Sequence, residues 1–321
     1  MQQRAILKNN GQTQNQRRKK RRSNGIILFV FICICACLIG LYIIINNKEE
    51  DVHYIPALSV NNRQTNNLSD SSMILTYEQA ASISSGCLLL LNNKHSVPDN
   101  IPGELGKVTD YVWTLNNELL LNADVLAALK IMFESAIDAG HELFRVTEAY
   151  RTQEQQQLLY DLIEDKSLAA LPGHSEHQIG FAVDISYHGG NITNSPQGEW
   201  LADNSYKFGF IMRYPQHKTH ITGIPFEPWH YRFVGQPHAY FMYENDLVLE
   251  EYIGYLKKHR EITIKFSGVE YRVHYLSNVG EVAEIPQGYA YFASLDNIGG
   301  VIMTLWFEKS IPRHRAGYGL Y

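Results

Sequence analysis

The stretch Ser175-Glu176-His177-Gln178-Ile179-Gly180-Phe181-Ala182-Val183-Asp184 places an imidazole and a carboxylate at a spacing that suits metal chemistry. Read as a strand, Gly180, Ala182 and Asp184 share one face, while Phe181, Val183 and Ile185 turn toward a core. Glycine and alanine leave room beside the carboxylate, and His177 on the preceding loop can fold over that face. Such a pair suits zinc. A second cluster is Glu227-Pro228-Trp229-His230. Pro228 disfavours helical geometry at Glu227, which separates this cluster from the HExxH helix of the commoner zinc proteases. A turn at Pro228 sends Glu227 and His230 to one pocket. His177, Asp184 and His230 then form three ligands with an open fourth position, and Glu227 is an unligated base. The chain has 13 histidines, so other assignments stay open. By spacing His174, His188, His217, His220 and His238 are equally available, Asp184 can cap a turn, and Glu227 can be a solvated loop acid.

These residues need elements to hold them. Thr76-x-x-Gln79 and Thr152-x-x-Gln155 are capping boxes that open helices, and Asn122 caps a helix carrying Leu126, Leu129, Phe133 and Ile137 that Gly140 closes. Leu88–Leu91 reads as a buried strand, and Glu142–Ala149 alternates like one. Strands are expected over Gly180–Ser186, Phe208–Arg213 and Trp229–Val234, with helical stretches at Trp200–Lys207, Ala239–Tyr243 and Leu247–Lys258. Beyond Arg260 apolar residues alternate about Ser267-Gly268, a hairpin signal. The expected fold is α+β: a central, mostly antiparallel sheet flanked by helices, with the metal site at one end.

The whole chain of 321 residues carries 28 Lys+Arg against 33 Asp+Glu, and its 45% hydrophobic content excludes a disordered protein. The charges are segregated. Residues 1–24 hold eight basic side chains and no acid, and residues 25–45 (GIILFVFICICACLIGLYIII) hold no charge at all. As a helix these 21 residues span about 30 Å, one hydrocarbon core. The basic side faces the cytoplasm and everything after Asn46 lies outside. The apolar run is too long for a cleaved signal and lacks a cleavage site. Cys33, Cys35 and Cys37 then sit in lipid, and Cys87 is alone outside, so no disulfide scaffold exists. The basic tail serves topology, and nucleic acid is not an expected partner. The expected layout is a cytoplasmic tail (1–24), a transmembrane anchor (25–45), a flexible Asn/Ser-rich spacer (46–72), a catalytic domain (73–260) and a small β-rich appendage (261–321).

The motif Ser-x-His-x-x-Gly-x-Ala-x-Asp, complete as SEHQIGFAVD, followed by EPWH and preceded by Tyr150-Arg151-Thr152-x-x-x-Gln156, resembles the VanY-type zinc D-alanyl-D-alanine carboxypeptidases. The wider group includes the VanX dipeptidases and L-alanyl-D-glutamate endopeptidases. The similarity covers about residues 73–258, and the joint match in order and spacing is very specific. Phe181 departs from a smaller apolar residue found in some relatives, on the core-facing side. The resemblance implies a zinc metallocarboxypeptidase with His177, Asp184 and His230 as Zn2+ ligands and Glu227 as general base. It implies that Arg151 steadies the carbonyl as it becomes an oxyanion, and that Ser175 and Gln178 contact the peptide. Arg213 falls in a pocket-lining segment, where it pairs with the terminal carboxylate or else forms a surface salt bridge. The implied partner is a peptidoglycan stem peptide or its lipid-linked precursor, met outside the membrane, with vancomycin-type resistance or wall trimming as the role. Alternatives are L,D-carboxypeptidase action on tetrapeptides, D-Ala-D-Ala dipeptidase action, and a non-catalytic wall-binding module. Oligomeric state is not legible.

Overall fold

Side-chain caps set where the helices begin. In the computed structural model, which describes residues 64–65, 72–99, 103–190 and 192–308, Thr76 and Thr152 close capping boxes with Gln79 and Gln155. They open the helices Tyr77–Ser82 and Gln153–Leu162. The Asn122 side chain accepts from the Asp124 amide at the start of Ala123–Asp138, a helix whose Val125, Leu126, Leu129, Met132 and Phe133 are buried. Pro196–Asn204, Gln236–Glu244 and Leu249–His259 are the other longer helices among the described residues.

The strands are β1 (Gln64–Thr65), β2 (Met73–Thr76), β3 (Leu105–Lys107), β4 (Leu120–Asn122), β5 (Phe144–Glu148), β6 (Ala182–Tyr187), β7 (Phe210–Met212), β8 (His230–Phe233), β9 (Glu261–Phe266), β10 (Val269–Leu276), β11 (Val282–Ile285), β12 (Tyr289–Leu295) and β13 (Val301–Phe307). One sheet runs β5-β6-β8-β7 with every pair antiparallel. A second, β1-β12-β13-β10-β9, is also antiparallel throughout. The fold is α+β, as the residue patterns suggest. The β9–β10 hairpin turns where expected, at Ser267 (φ 51°) and Gly268 (φ 74°).

Three local readings are corrected. Leu88–Leu91 is buried but is not a strand. Its polar backbone is satisfied piecemeal: the Leu88 amide donates to the Ser294 hydroxyl at 3.0 Å, the Leu90 amide to the Asp296 carbonyl at 3.0 Å, and the Leu89 carbonyl accepts from Arg232 at 3.0 Å. Gly180 is not on the strand face; it closes the 3-10 turn Glu176–Ile179 in the left-handed region at φ 73°, a conformation glycine adopts without a steric cost. Finally, the last strands are not peripheral. Residues 301–306 of β13 are buried on both faces, one against a cluster with Ala80, Ile285 and Tyr291, the other under the helix Gln236–Glu244, where Thr304 meets His238 at 3.0 Å. β11 pairs with β2, and Ser84 bridges to Ala293, across the boundary expected at residue 260. Gln64–Thr65, inside the stretch read as a spacer, pairs with β12.

The expected tail and anchor over residues 1–45 lie outside the described residues, among which no helix is long and apolar enough to cross a membrane.

A Gly180→Ala substitution forces a Cβ into the left-handed region, 3.1 Å from Leu105 Cδ2. We expect a loss of about 1–2 kcal/mol, read as a lower urea midpoint at unchanged slope.

Candidate metal centre

β6 and β8 build the site by direct pairing: Asp184 stands opposite His230 in the antiparallel register. Phe181, Val183, Ile185, Tyr231 and Phe233 point into the core, so the two polar side chains share the other face. Pro228 and Trp229 form the turn that precedes β8, closed by the His230 amide on the Glu227 carbonyl at 3.2 Å. That turn brings the Glu227 carboxylate to 3.9 Å from His230 Nδ1. His177 comes from the 3-10 turn before β6, and its carbonyl accepts from the Arg151 amide at 3.2 Å.

The donor atoms of His177, Asp184 and His230 all lie within 4.8 Å of one another. Asp184 Oδ1 is 3.4 Å from His177 Nε2 and 3.0 Å from His230 Nδ1. The far nitrogens are occupied: His177 Nδ1 sits 2.7 Å from the Ala149 carbonyl, and His230 Nε2 sits 3.3 Å from Glu176 Oε2. Two imidazoles and one carboxylate, converging and otherwise held, fit a tetrahedral Zn2+ with one position left for solvent or substrate.

A cavity of about 170 Å³ opens beside these atoms, and Arg151, Ser175, Tyr214, Glu227 and Trp229 are in its wall. Arg151 is held there by Gln156 and Glu148, at 2.7 Å each. Ser175 is in the wall, and Gln178 is not. The Gln178 carbonyl oxygen accepts the Gly173 and Ser175 amides, at 2.9 and 3.3 Å, and its amide donates to Gln153 at 2.6 Å, bracing the loop. Arg213 meets neither of its two readings. It is fully buried, with Nε donating to Glu176 and both terminal nitrogens to Glu250, all at 2.8 Å, so it lies behind the site. The competing histidines are placed elsewhere: His174 bonds the Asn92 carbonyl, His217 pairs with Asp246, His188 packs on Trp113, and neither His220 nor His238 lines the cavity. Burial drives His238 down to about 3, so it is neutral.

Two residues escaped the sequence reading. Glu176, inside the motif, and Arg232, two residues after His230, are both buried and paired at 2.9 Å. Burial alone would raise the Glu176 carboxyl, but Arg213 and Arg232 hold it well below the usual carboxylate range. Asp184 is likewise depressed, burial being outweighed by His177 and His230. Burial would lower His230, but its hydrogen bonds to Asp184 and Glu176 raise it to about 10. Glu227 is raised, mainly by desolvation.

Known proteins resemble this chain. A family model described as VanY, D-alanyl-D-alanine carboxypeptidase, matches residues 118–236. A D-alanyl-D-alanine carboxypeptidase of Enterococcus faecium is 34% identical over 230 residues, 69% of this chain and 75% of that protein. The bifunctional D-Ala-D-Ala dipeptidase and carboxypeptidase VanXYC of Enterococcus gallinarum is 37% identical over 127 residues, 35% of this chain and 67% of that one. The crystal structure of the vancomycin-resistance D,D-dipeptidase VanXYg, in complex with a D-Ala-D-Ala phosphinate analog, superposes with a TM-score of 0.64 at 29% identity, covering 73% of this chain and 98% of that one.

In the metal-free chain the hydrogen bonds to Asp184 and Glu176 favour the protonated form of His230. Metal ligation needs a free Nδ1 lone pair, so zinc uptake at pH 7 should release about one proton. Calorimetry in buffers of different ionisation enthalpy measures it, and release of none would show His230 already neutral.

Proposed function

Because the chain belongs to the VanY family of D-alanyl-D-alanine carboxypeptidases, we propose that it is a membrane-anchored zinc enzyme that removes the C-terminal D-Ala from peptidoglycan pentapeptide stems or their lipid-linked precursors. The observation that carries this reading is the convergence of His177, Asp184 and His230 at one edge of a cavity whose wall also holds Glu227 and Arg151. In this reading the three are the zinc ligands. Zinc, when bound, supplies a Lewis acid that polarises the scissile carbonyl and acidifies a water.

The protein's own residues do the rest. Glu227, next to His230 but directed at the cavity, takes the proton of the attacking water and delivers it to the departing D-alanine amine. Its partial burial favours the protonated form more than in free solution, which suits a group that must both accept and return a proton. Arg151, oriented by Glu148 and Gln156, donates to the carbonyl oxygen as negative charge develops there. One well-placed donor of this kind is worth about 3–4 kcal/mol. Ser175 presents its hydroxyl to the peptide. No covalent acyl intermediate is needed.

The uncharged run 25–45, with its basic flank, supports an anchor that holds the catalytic residues outside the membrane, where stems ending in D-Ala-D-Ala occur. Trimming that residue removes the target of vancomycin-type antibiotics, so resistance and wall maturation are both roles open to this chemistry. Dipeptidase action on free D-Ala-D-Ala is the second reading, favoured by the likeness to a D,D-dipeptidase structure.

The test follows free D-alanine from a pentapeptide stem with the full-length chain in detergent. Release should need metal and stop with a chelator. Glu227→Gln should lower kcat by about 100–10,000-fold, and Arg151→Ala by about 100–1000-fold. Release only from the free dipeptide would select the second reading. Because no serine is acylated, penicillin should leave the rate unchanged and label no residue, and stoichiometric labelling would sink the mechanism.

A further inference from the structure

His177 and His230 present different nitrogens to the metal site. For His177 the partner of Nδ1 is the Ala149 carbonyl at 2.7 Å, which can only accept. Nδ1 therefore keeps a ring proton, and Nε2 is the nitrogen turned to Asp184, at 3.4 Å. For His230 the geometry is reversed: Nδ1 faces Asp184 at 3.0 Å, and Nε2 faces Glu176 Oε2 at 3.3 Å. β8 is paired on both edges, so its own backbone is taken up by the ladders. The buried Glu176 carboxylate takes that place, on the face His230 shares with Arg232.

The two oxygens of Glu176 are not equivalent. Oε1 accepts from Arg213 Nε at 2.8 Å and from Arg232 Nη1 at 2.9 Å. Oε2 is the one turned to His230. The arginines are themselves fixed. Arg232 Nη2 donates to the Cys87 and Leu89 carbonyls at 3.0 Å each, and Arg213 grips Glu250 with both terminal nitrogens at 2.8 Å. Glu176, Glu250, Arg213 and Arg232 together sum to zero formal charge. A lone buried carboxylate would cost several kcal/mol; this arrangement supplies an acceptor oxygen without a net buried charge. It is also carried by the segments that carry the ligands. Glu176 precedes His177, Arg232 follows His230 on the same strand face, and the Arg213 amide bonds the His230 carbonyl at 3.2 Å.

We propose that Glu176 is a positioning residue: held by Arg213 and Arg232, it fixes the proton of His230 on Nε2 and so turns the Nδ1 lone pair to the metal. The inference rests on the zinc reading above. It makes a sharp distinction between two isosteric changes. In Glu176→Gln the amide oxygen must stay with the two guanidinium groups, since turning the NH2 toward them would set donor against donors. The NH2 then faces His230 and favours the tautomer protonated on Nδ1, which cannot bind metal. Glu250→Gln weakens the same network from the other side of Arg213, with no contact to His230.

Zinc affinity of the full-length chain, measured by competition with a chromophoric chelator, should fall about 10–100-fold in Glu176→Gln and match the wild type in Glu250→Gln. The visible spectrum of the cobalt-substituted protein should change only in Glu176→Gln. Equal affinity of Glu176→Gln and wild type, or an equal loss in Glu250→Gln, would overturn the proposal while leaving the zinc reading in place. A wild-type chain that takes up no zinc would overturn both. Should Glu176→Gln not fold, long-range 1H–15N correlations of the zinc-loaded wild type decide: His230 must carry its proton on Nε2 and His177 on Nδ1, and the opposite tautomer of His230 refutes the role.

Discussion

The site depends first on the antiparallel register of β6 and β8. Directly opposed residues on neighbouring strands hold their side chains on one face, and here that pair is Asp184 and His230. A slip of one residue would carry the carboxylate to the opposite face. Apolar contact opposes that slip: Val183 and Ile185 on β6, and Tyr231 and Phe233 on β8, are all buried at 1% exposure or less. The third ligand is tied to this pair by the 3-10 turn ending at Gly180, which leads straight into β6. The outer partner strand β5 meets β6 through an irregularity between Val146 and Glu148, after which Glu148 opposes Asp184 and also holds Arg151. One strand pairing, one turn and one irregularity therefore set the relative positions of His177, Asp184, His230 and Arg151.

Charge balance is the second constraint. Besides the donor Asp184, the carboxylates Glu148, Glu176 and Glu227 lie close by, and a divalent cation would be one compensating charge among them. The arginines Arg213 and Arg232 answer Glu176 and Glu250, so the charge at the metal position is left to Asp184 and to Glu227 at the cavity wall. That division leaves Arg213 and Arg232 buried and fully bonded near the site. Each is consumed by buried partners, and among the described residues the guanidinium in the cavity wall is that of Arg151.

Much of this was legible beforehand, for a physical reason in each case. The ligand set and Glu227 lie in two short motifs whose spacing matches a strand and a proline turn. Helix starts were legible because capping is local: Thr76, Asn122 and Thr152 act on amides two or three residues away. What could not be read depends on partners far along the chain. Glu176 looks like any loop acid until Arg213 and Arg232 close on it, 37 and 56 residues later. Leu88–Leu91 has a strand's composition but spends its backbone on Arg232, Ser294 and Asp296. Gly180 fits a strand's alternation, and only the backbone reveals the left-handed turn. Arg213 adjoins Tyr214 of the cavity wall in sequence, but its own side chain is buried against Glu176 and Glu250.

The same long-range dependence ties the C-terminal strands to the metal site. The Leu88 and Leu90 amides are satisfied by the Ser294 hydroxyl and the Asp296 carbonyl, at the end of β12. The Cys87 and Leu89 carbonyls hold Arg232, Arg232 holds Glu176, and Glu176 meets His230. Every group in this series is buried, so each missing partner would leave an unsatisfied polar atom at a cost of about 1–3 kcal/mol. The second sheet thus closes the polar account of the segment on which the ligand strand leans. A β appendage hung on a finished domain would have strands exposed on one face; β13, covered on both, belongs instead to the scaffold that fixes His230.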